Sequence, residues 1–154
     1  MSVEVVGVIK IKDNARRLFK LVQDLPKKCV EIGEPTGSPN NSRINEDGSD
    51  ITNAEVGFIV EFMHPRHAQD GGGDTTNLLP GIHMAKQDII DSVRYSLTDM
   101  LQLNKTSYVT MVKDSLKDVG KIGLEHVLEQ VVSKYVIDTG QYMNSLRFDV
   151  RDNK

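Results

Sequence analysis

The 154-residue chain has little of several residue types, and each shortage argues against a class of protein. It has one cysteine, Cys29, which excludes an internal disulfide framework and a cysteine-rich zinc site. It has no tryptophan and only 5% aromatic residues, which argues against a surface on which nucleic-acid bases stack. No apolar run approaches the ~18 residues that a membrane span needs. The opening MSVEVVGVIKIKD lacks the basic start and small-residue cleavage site of a signal peptide, so a reducing cytoplasm is the expected compartment.

The residues that are present have the balance of a globular protein. Hydrophobic residues make up 38% of the chain and charged residues 27%. The length fits one domain spanning residues 1–154 and allows a sizeable buried core. The formal net charge of −3 argues against a general nucleic-acid binder, whose footprint would be a basic patch.

Two polar stretches are the clearest landmarks along the chain. Residues 34–50 hold two prolines, two glycines and Ile44 as their only large apolar residue, and residues 64–77 contain three consecutive glycines. Loops of this length are uncommon in compact domains and are usually functional or disordered. We therefore expect two long loops that become ordered against a partner, with plain surface insertions as the alternative.

Hydrophobic periodicity predicts an α+β fold, in which long helices pack on a small, mostly antiparallel sheet. Helices are predicted over residues 13–25, 51–63, 80–103 and 108–136, and strands over residues 3–11, 29–33 and 146–150. The span 51–63 also fits a strand, but Thr52 or Asn53 can cap a helix there and Glu55 suits its first turn. The order of elements allows the first and last strands to share a sheet.

Two glycines interrupt the last predicted helix. Gly120 and Gly123 each cost ~1 kcal/mol relative to alanine in a helix interior. They predict a kink, a break, or close packing against another helix. The aliphatic stripes of the two long helices are expected to form the core of the domain, because each large side chain contributes roughly 1.5–3 kcal/mol when buried.

Two sets of residues suggest chemistry, and both favour a structural interpretation. Asp138-Thr139-Gly140 matches the signature of aspartic proteases, but that chemistry needs two carboxylates sharing a proton, and only 14 residues follow Gly140. We interpret it as a turn in which glycine takes an unusual backbone angle. His64 and His67, with Asp70, fall short of the convergent ligand set of a zinc site. No catalytic residue, metal or cofactor is predicted, and a small aspartic or metal-dependent hydrolase remains the alternative from another class.

Three segments taken together resemble a known family. They are VEIG at residues 30–33, TNAEVGFIVEF at residues 52–62 and IDTGQYMNSLRFDV at residues 137–150. This pattern is similar to the tail-completion, or head–tail joining, proteins of long-tailed bacteriophages, often labelled minor tail components. Members typically show a V-x-V-G strand, an N-A-x-x-A-x-x-x-E-F-G segment and a D-T-G-x-x-x-x-S segment that leads into a strand. Here Met63 stands where the family has glycine, and LPGIH at residues 79–83 replaces an I-P-A-R-x-F motif.

The resemblance implies a structural virion protein without an active site. Such a protein forms a ring, a hexamer in the family, in the virion neck, where it contacts a stopper or connector on one side and a tail terminator or tube on the other. DNA passes through the lumen without specific binding, and no membrane is involved. A tail terminator or stopper of the same neck, and a bacterial adaptor module, are the alternatives. The implied interface residues are Asn53, Glu61, Phe62, Pro80, Asp138, Thr139, Gly140, Gln141, Asn144, Ser145, Leu146 and Phe148.

Among the implied interface residues, those of the predicted C-terminal strand lead to a specific expectation. A strand with an open edge can extend a sheet between subunits. We therefore expect Leu146 and Phe148 to lie at ring contacts, and charged residues in their place to leave the monomer folded.

Overall fold

The computed structural model describes residues 16, 19–20, 23, 27–34, 42, 48–63, 76–102, 108–134 and 140–152. The predicted strand over residues 3–11, most of the predicted helix over residues 13–25, and most of both polar stretches lie outside these ranges. The described residues are mainly helical and include a two-stranded antiparallel sheet, so the predicted α+β class is confirmed. None of the helices in these ranges has the length and apolarity that crossing a membrane requires.

Strand β1 covers Lys28–Gly33 and strand β2 covers Arg147–Asp152. They pair antiparallel, with Lys28 opposite Asp152 and Gly33 opposite Arg147. β1 confirms the strand predicted at residues 29–33, and β2 begins one residue later and ends two residues later than predicted. Ile32 and Phe148 are directly opposite each other in this pairing, and the side chains of opposed residues lie on the same face of a sheet.

Helix α1 covers Asn53–Phe58 and continues into a π-helical turn over Ile59–Met63. Its start is a capping box in which the Thr52 hydroxyl accepts from the Glu55 amide and the Glu55 carboxylate accepts from the Thr52 amide. The Thr52 hydroxyl also donates to the Glu55 carboxylate, and the two hydrogen bonds that this carboxylate accepts, the one from the backbone amide first, lower the pKa of Glu55. The helix predicted for this ambiguous span is thereby confirmed, and of the two caps predicted, Thr52 and Asn53, the structure uses Thr52.

Two long helices, α2 over Leu78–Gln102 and α3 over Tyr108–Ser133, pack against each other. α2 begins two residues before the predicted start, because Pro80 lies in its first turn, where its missing N–H is not needed. The two backbones are in close contact at Gly81, where a Cβ atom would lie 2.6 Å from the Val127 Cα. On α3, Val127 and Val131 are fully buried beside partly buried Leu124 and Leu128, which confirms the aliphatic stripe predicted for this helix. The stripe predicted for α2 is only partly buried, and its Ile82 is exposed, so α2 supplies less of the core than expected.

The glycines of α3 face the sheet. A Cβ atom on Gly120 would lie 2.2 Å from the Phe148 ring, and one on Gly123 would lie 2.4 Å from the Ile32 Cδ1. α3 continues through both positions without a break. Of the three outcomes predicted for these glycines, close packing is the one observed, but the partner is the sheet rather than another helix.

A short helix, α4 over Gln141–Ser145, precedes β2 and packs on α1. It follows Gly140, whose φ of 74° lies in the left-handed region that glycine tolerates best. The unusual glycine angle expected at the Asp-Thr-Gly turn is therefore confirmed, while Asp138 and Thr139 lie outside the described residues. α4 was not predicted, because five residues are too few to show helical periodicity.

Candidate interaction surface

A buried carboxylate holds the start of α2. Glu61, in the π-helical turn, accepts hydrogen bonds from the backbone amides of Asn77, Leu78 and Leu79 at 2.9, 3.0 and 3.1 Å. The first amides of a helix have no partner within the helix, and its N-terminus carries a partial positive charge. Glu61 therefore caps α2 from a different segment of the chain, although it lies 16–18 residues before these amides.

Tyr142 of α4 extends this arrangement. Its hydroxyl donates to Asn77 Oδ1 at 3.3 Å, and Ser145 Oγ donates to the Tyr142 carbonyl at 2.7 Å. Burial, and then the nearby charge of Glu61, raise the pKa of Tyr142 to about 12, so the hydroxyl keeps its proton at neutral pH. A Cβ atom on Gly57 would lie 2.9 Å from the Tyr142 ring, so α1 meets this ring at a glycine. We call Glu61, Asn77, Tyr142 and Ser145 the Glu61 network.

The Glu61 network brings together two of the three segments that carry the family resemblance. Glu61 comes from the second segment, and Tyr142 and Ser145 come from the third. Asn53, from the second segment, is also buried and donates to the Ser42 carbonyl at 3.4 Å. These motif residues therefore lie within one folded unit, where they hold α1, α2 and α4 together.

Burial corrects the interpretation of five predicted interface residues. Asn53, Glu61, Ser145 and Leu146 are each less than a tenth exposed, and Phe148 packs its ring on α3. The side chains of Asn53, Glu61, Ser145 and Leu146 are buried within the folded chain, so a neighbouring molecule cannot reach them, and the half-buried Phe148 contributes to the packing of the sheet on α3. The expectation that charges at positions 146 and 148 leave the monomer folded is replaced by the expectation that they disrupt it.

The other predicted interface residues lie nearer the surface or outside the described ranges. Phe62 is 67% exposed, and Asn144 is also exposed. Pro80, Gly140 and Gln141 are half-buried. Asp138 and Thr139 fall outside the described residues. Whether a neighbouring subunit contacts any of these residues stays a prediction.

An exposed apolar patch lies beside the Glu61 network. The rings of Phe58 and Phe62 lie against each other with their centroids 5.1 Å apart and their planes tilted by 39°, and both side chains are more than half exposed. Leu79, whose amide binds Glu61, is 73% exposed. We call Phe58, Phe62 and Leu79 the aromatic patch. Contiguous exposed apolar surface marks sites of interaction with other proteins, and aromatic residues are enriched there.

Sequence reasoning selected only one member of the aromatic patch. The F-x-x-x-F spacing of Phe58 and Phe62 was a usable signal, because residues four apart lie on the same side of a helix. Leu79 and Asn77 carried no comparable signal, because their role depends on Glu61 reaching the start of α2. His64, His67 and Asp70, for which no metal site is predicted, lie outside the described ranges, within which no three His, Cys, Asp or Glu side chains converge on a possible metal site.

The chain was compared with known proteins in three ways. A scan against protein-family models, a search of curated proteins and a search of solved structures each find no match for the chain.

Proposed function

We propose that the chain is a structural virion protein of a tailed bacteriophage, which forms a ring in the neck and joins the tail tube to the head connector. The observation that supports this proposal is the convergence of two resemblance-bearing segments at the Glu61 network, beside an exposed aromatic patch. A ring subunit needs both properties, a rigid protomer and an apolar surface that a neighbour can cover.

The Glu61 network would give the ring subunit its rigidity. Three hydrogen bonds from one carboxylate fix the π-helical turn to the start of α2, and Tyr142 ties α4 to the same point. Phe62 directly follows Glu61, so its backbone is held at the position where its ring is exposed. A preorganised apolar surface loses little conformational entropy on binding, which favours tight assembly.

The overall charge also suits a conduit for DNA. A net charge of −3 gives the ring no general attraction for phosphates, and an attractive lumen would retain the DNA that has to pass through it. Partners of the proposed ring are further copies of this chain, a stopper or connector, and a tail terminator or tube.

The test replaces the two aromatic side chains in a phage that depends on this chain. Phe58→Ser with Phe62→Ser should leave the protein folded, since both rings are mostly exposed, and should leave heads and tails unjoined in electron micrographs. Tyr95→Ser is the matched control, because Tyr95 is an exposed aromatic residue on α2 outside the aromatic patch. Circular dichroism of each purified variant checks that the fold is retained.

The outcomes separate the proposal from its alternatives. Joined, infectious particles with the double variant would show that the aromatic patch is not the joining surface. Normal joining in a phage that lacks the chain altogether would refute the proposed function. A density map of the neck would then distinguish a tail-completion ring from a stopper or tail terminator, by the level at which the chain lies.

A further inference from the structure

A groove opens between the first turns of α3 and the far end of the sheet. α3 packs tightly on the sheet at Gly120 and Gly123, and the groove lies nearer the N-terminus of the helix, between its residues 109–116 and the sheet end formed by Lys28 and Asp152. The cavity between them is about 500 Å³, within the ~300–1,000 Å³ range that is typical of binding sites. Its apolar lining is Val109, Val112, Leu116 and Val150.

The apolar lining is accompanied mainly by positive charge. Lys27, Lys28 and Lys113 line the same groove, with Asp152 as its single acidic residue. Lys28 forms an ion pair with Asp152, while Lys113 has no ion-pair partner among the described residues. A chain with a net charge of −3 thus carries a locally cationic groove with an apolar floor.

We propose that this groove binds residues 44–51 of a second copy of the chain. That stretch, INEDGSDI, has three carboxylates and no basic residue, and an isoleucine stands at each end. Its negative charge complements the net positive charge of the groove, and its isoleucines match the valine- and leucine-lined floor. The inference rests on the proposed ring, because it supplies the contact by which one copy holds the next.

The matching features also predict how the contact depends on conditions. The isoleucines would provide most of the affinity, because apolar burial is the dominant favourable contribution to association. The lysine–carboxylate contacts at the rim would set the orientation and make association weaker at high salt.

A peptide titration tests the contact on the intact chain. A labelled peptide of residues 44–52, INEDGSDIT, is titrated against the full-length protein by fluorescence anisotropy. The neutral peptide INQNGSNIT, with amides in place of the three carboxylates, is the matched ligand control. We expect Lys113→Glu to weaken binding of the acidic peptide about tenfold or more, because it replaces attraction with repulsion. Lys86→Glu, the same charge change on an exposed lysine of α2, should leave binding unchanged.

A charge exchange between copies tests the same contact in the assembly. Lys113→Glu alone, and Glu46→Lys with Asp47→Lys, should each reduce self-association in analytical ultracentrifugation. Mixing the two variants should restore it, because each groove then faces a segment of opposite charge. Restoration by mixing cannot come from a general effect on folding.

Three results would overturn the inference. The first is that the acidic peptide does not bind. This result would overturn the inference even if the chain's own residues 44–51 filled the groove, because the contact would then not join two copies. The second is binding that Lys113→Glu leaves unchanged, since the peptide would then lie elsewhere. The third is equal self-association of all variants. Peptide binding in a protein that is dispensable for head–tail joining would support the groove contact and refute only the proposed neck function.

Discussion

Three glycines inside the long helices provide a quantitative test of the packing. In an unconstrained helix interior, changing glycine to alanine stabilises a protein by ~1 kcal/mol. Gly81, Gly120 and Gly123 each face a neighbouring element, but the atoms that a new methyl group would meet differ in how easily they can move. The structure therefore predicts a ranking rather than a uniform gain.

Gly81→Ala should be the most damaging change. Its Cβ atom would lie 2.6 Å from the Val127 Cα and 2.8 Å from the Val127 nitrogen, both of which are backbone atoms. The two long helices would have to separate to accept it. Overpacking of this kind costs ~1–3 kcal/mol or more, so we expect a net loss of roughly 2 kcal/mol or more in the free energy of unfolding.

Gly120→Ala and Gly123→Ala should have smaller effects, of different size. At Gly120 the new Cβ meets the Phe148 ring at three atoms, so the whole ring must turn, and we expect a net loss of ~1 kcal/mol. At Gly123 it meets only the terminal Cδ1 of Ile32, a flexible methyl group, while the next atom is 3.9 Å away. There the helix propensity of alanine should offset the contact, giving a change near zero or a gain of up to ~1 kcal/mol.

Urea unfolding followed by circular dichroism at 222 nm measures all three free energies. Phe148→Ala serves as the control, because it removes the ring that Gly120→Ala meets. The double variant Gly120→Ala with Phe148→Ala should lose less stability than the sum of the losses in the two single variants, as expected for residues in contact. A gain of ~1 kcal/mol in all three alanine variants, or an additive double variant, would refute the packing of α3 on the sheet.

Three further predictions concern the Glu61 network and the core beside it. Glu61→Ala should cost about 3 kcal/mol, because it leaves buried amides at the start of α2 without a partner, and Glu61→Gln should cost less; urea titration that ranks the two equally would contradict the capping role. The folded-state pKa of Tyr142 is about 12 against an ordinary value of 10, so its contribution to stability is complete below pH 10 and is lost as the pH rises through 12. This alkaline loss of unfolding free energy, on the order of 2–3 kcal/mol, should be absent in Tyr142→Phe. If the variant lost the same stability at high pH, the buried Tyr142 hydroxyl would not be its cause. Leu146→Asp should abolish the cooperative unfolding transition, because it places an unpaired charge in the core, whereas Asn144→Asp, on the exposed side of α4, should retain it; a folded Leu146→Asp protein would return Leu146 to the list of interface residues.

The parts of the fold that the sequence predicts well are those set by local pattern. The recurrence of aliphatic residues every three or four positions predicts α2 and α3, and the capping-box pattern of Thr52 and Glu55 predicts the start of α1. β1 follows from alternation over a few residues. In each case the signal and the structure it specifies lie within the same short stretch of chain.

The parts that could not be predicted depend on contacts between distant segments. Gly120 signals close packing, but the identity of its partner, Phe148, depends on where the sheet lies. Glu61 is an ordinary acidic residue by sequence, and its capping role exists only once the π-helical turn meets the start of α2. For the same reason, the motif resemblance predicts an interface role for Leu146, although its side chain is buried within the folded chain.

The pairing of β1 with β2 has a consequence for the order of folding. Lys28 and Asp152 pair although they lie 124 positions apart, whereas α2 and α3 are neighbours along the chain. Closing so long a loop is entropically costly, and long-range pairing slows folding. The helical pair should therefore form first and the sheet should join it late. In stopped-flow experiments Val127→Ala should slow refolding, whereas Val150→Ala, at the seam between β2 and α3, should mainly accelerate unfolding. On a ribosome, the chain could then complete its fold only after β2 had emerged, and until that moment α3 would expose the glycine-lined face that the sheet later covers.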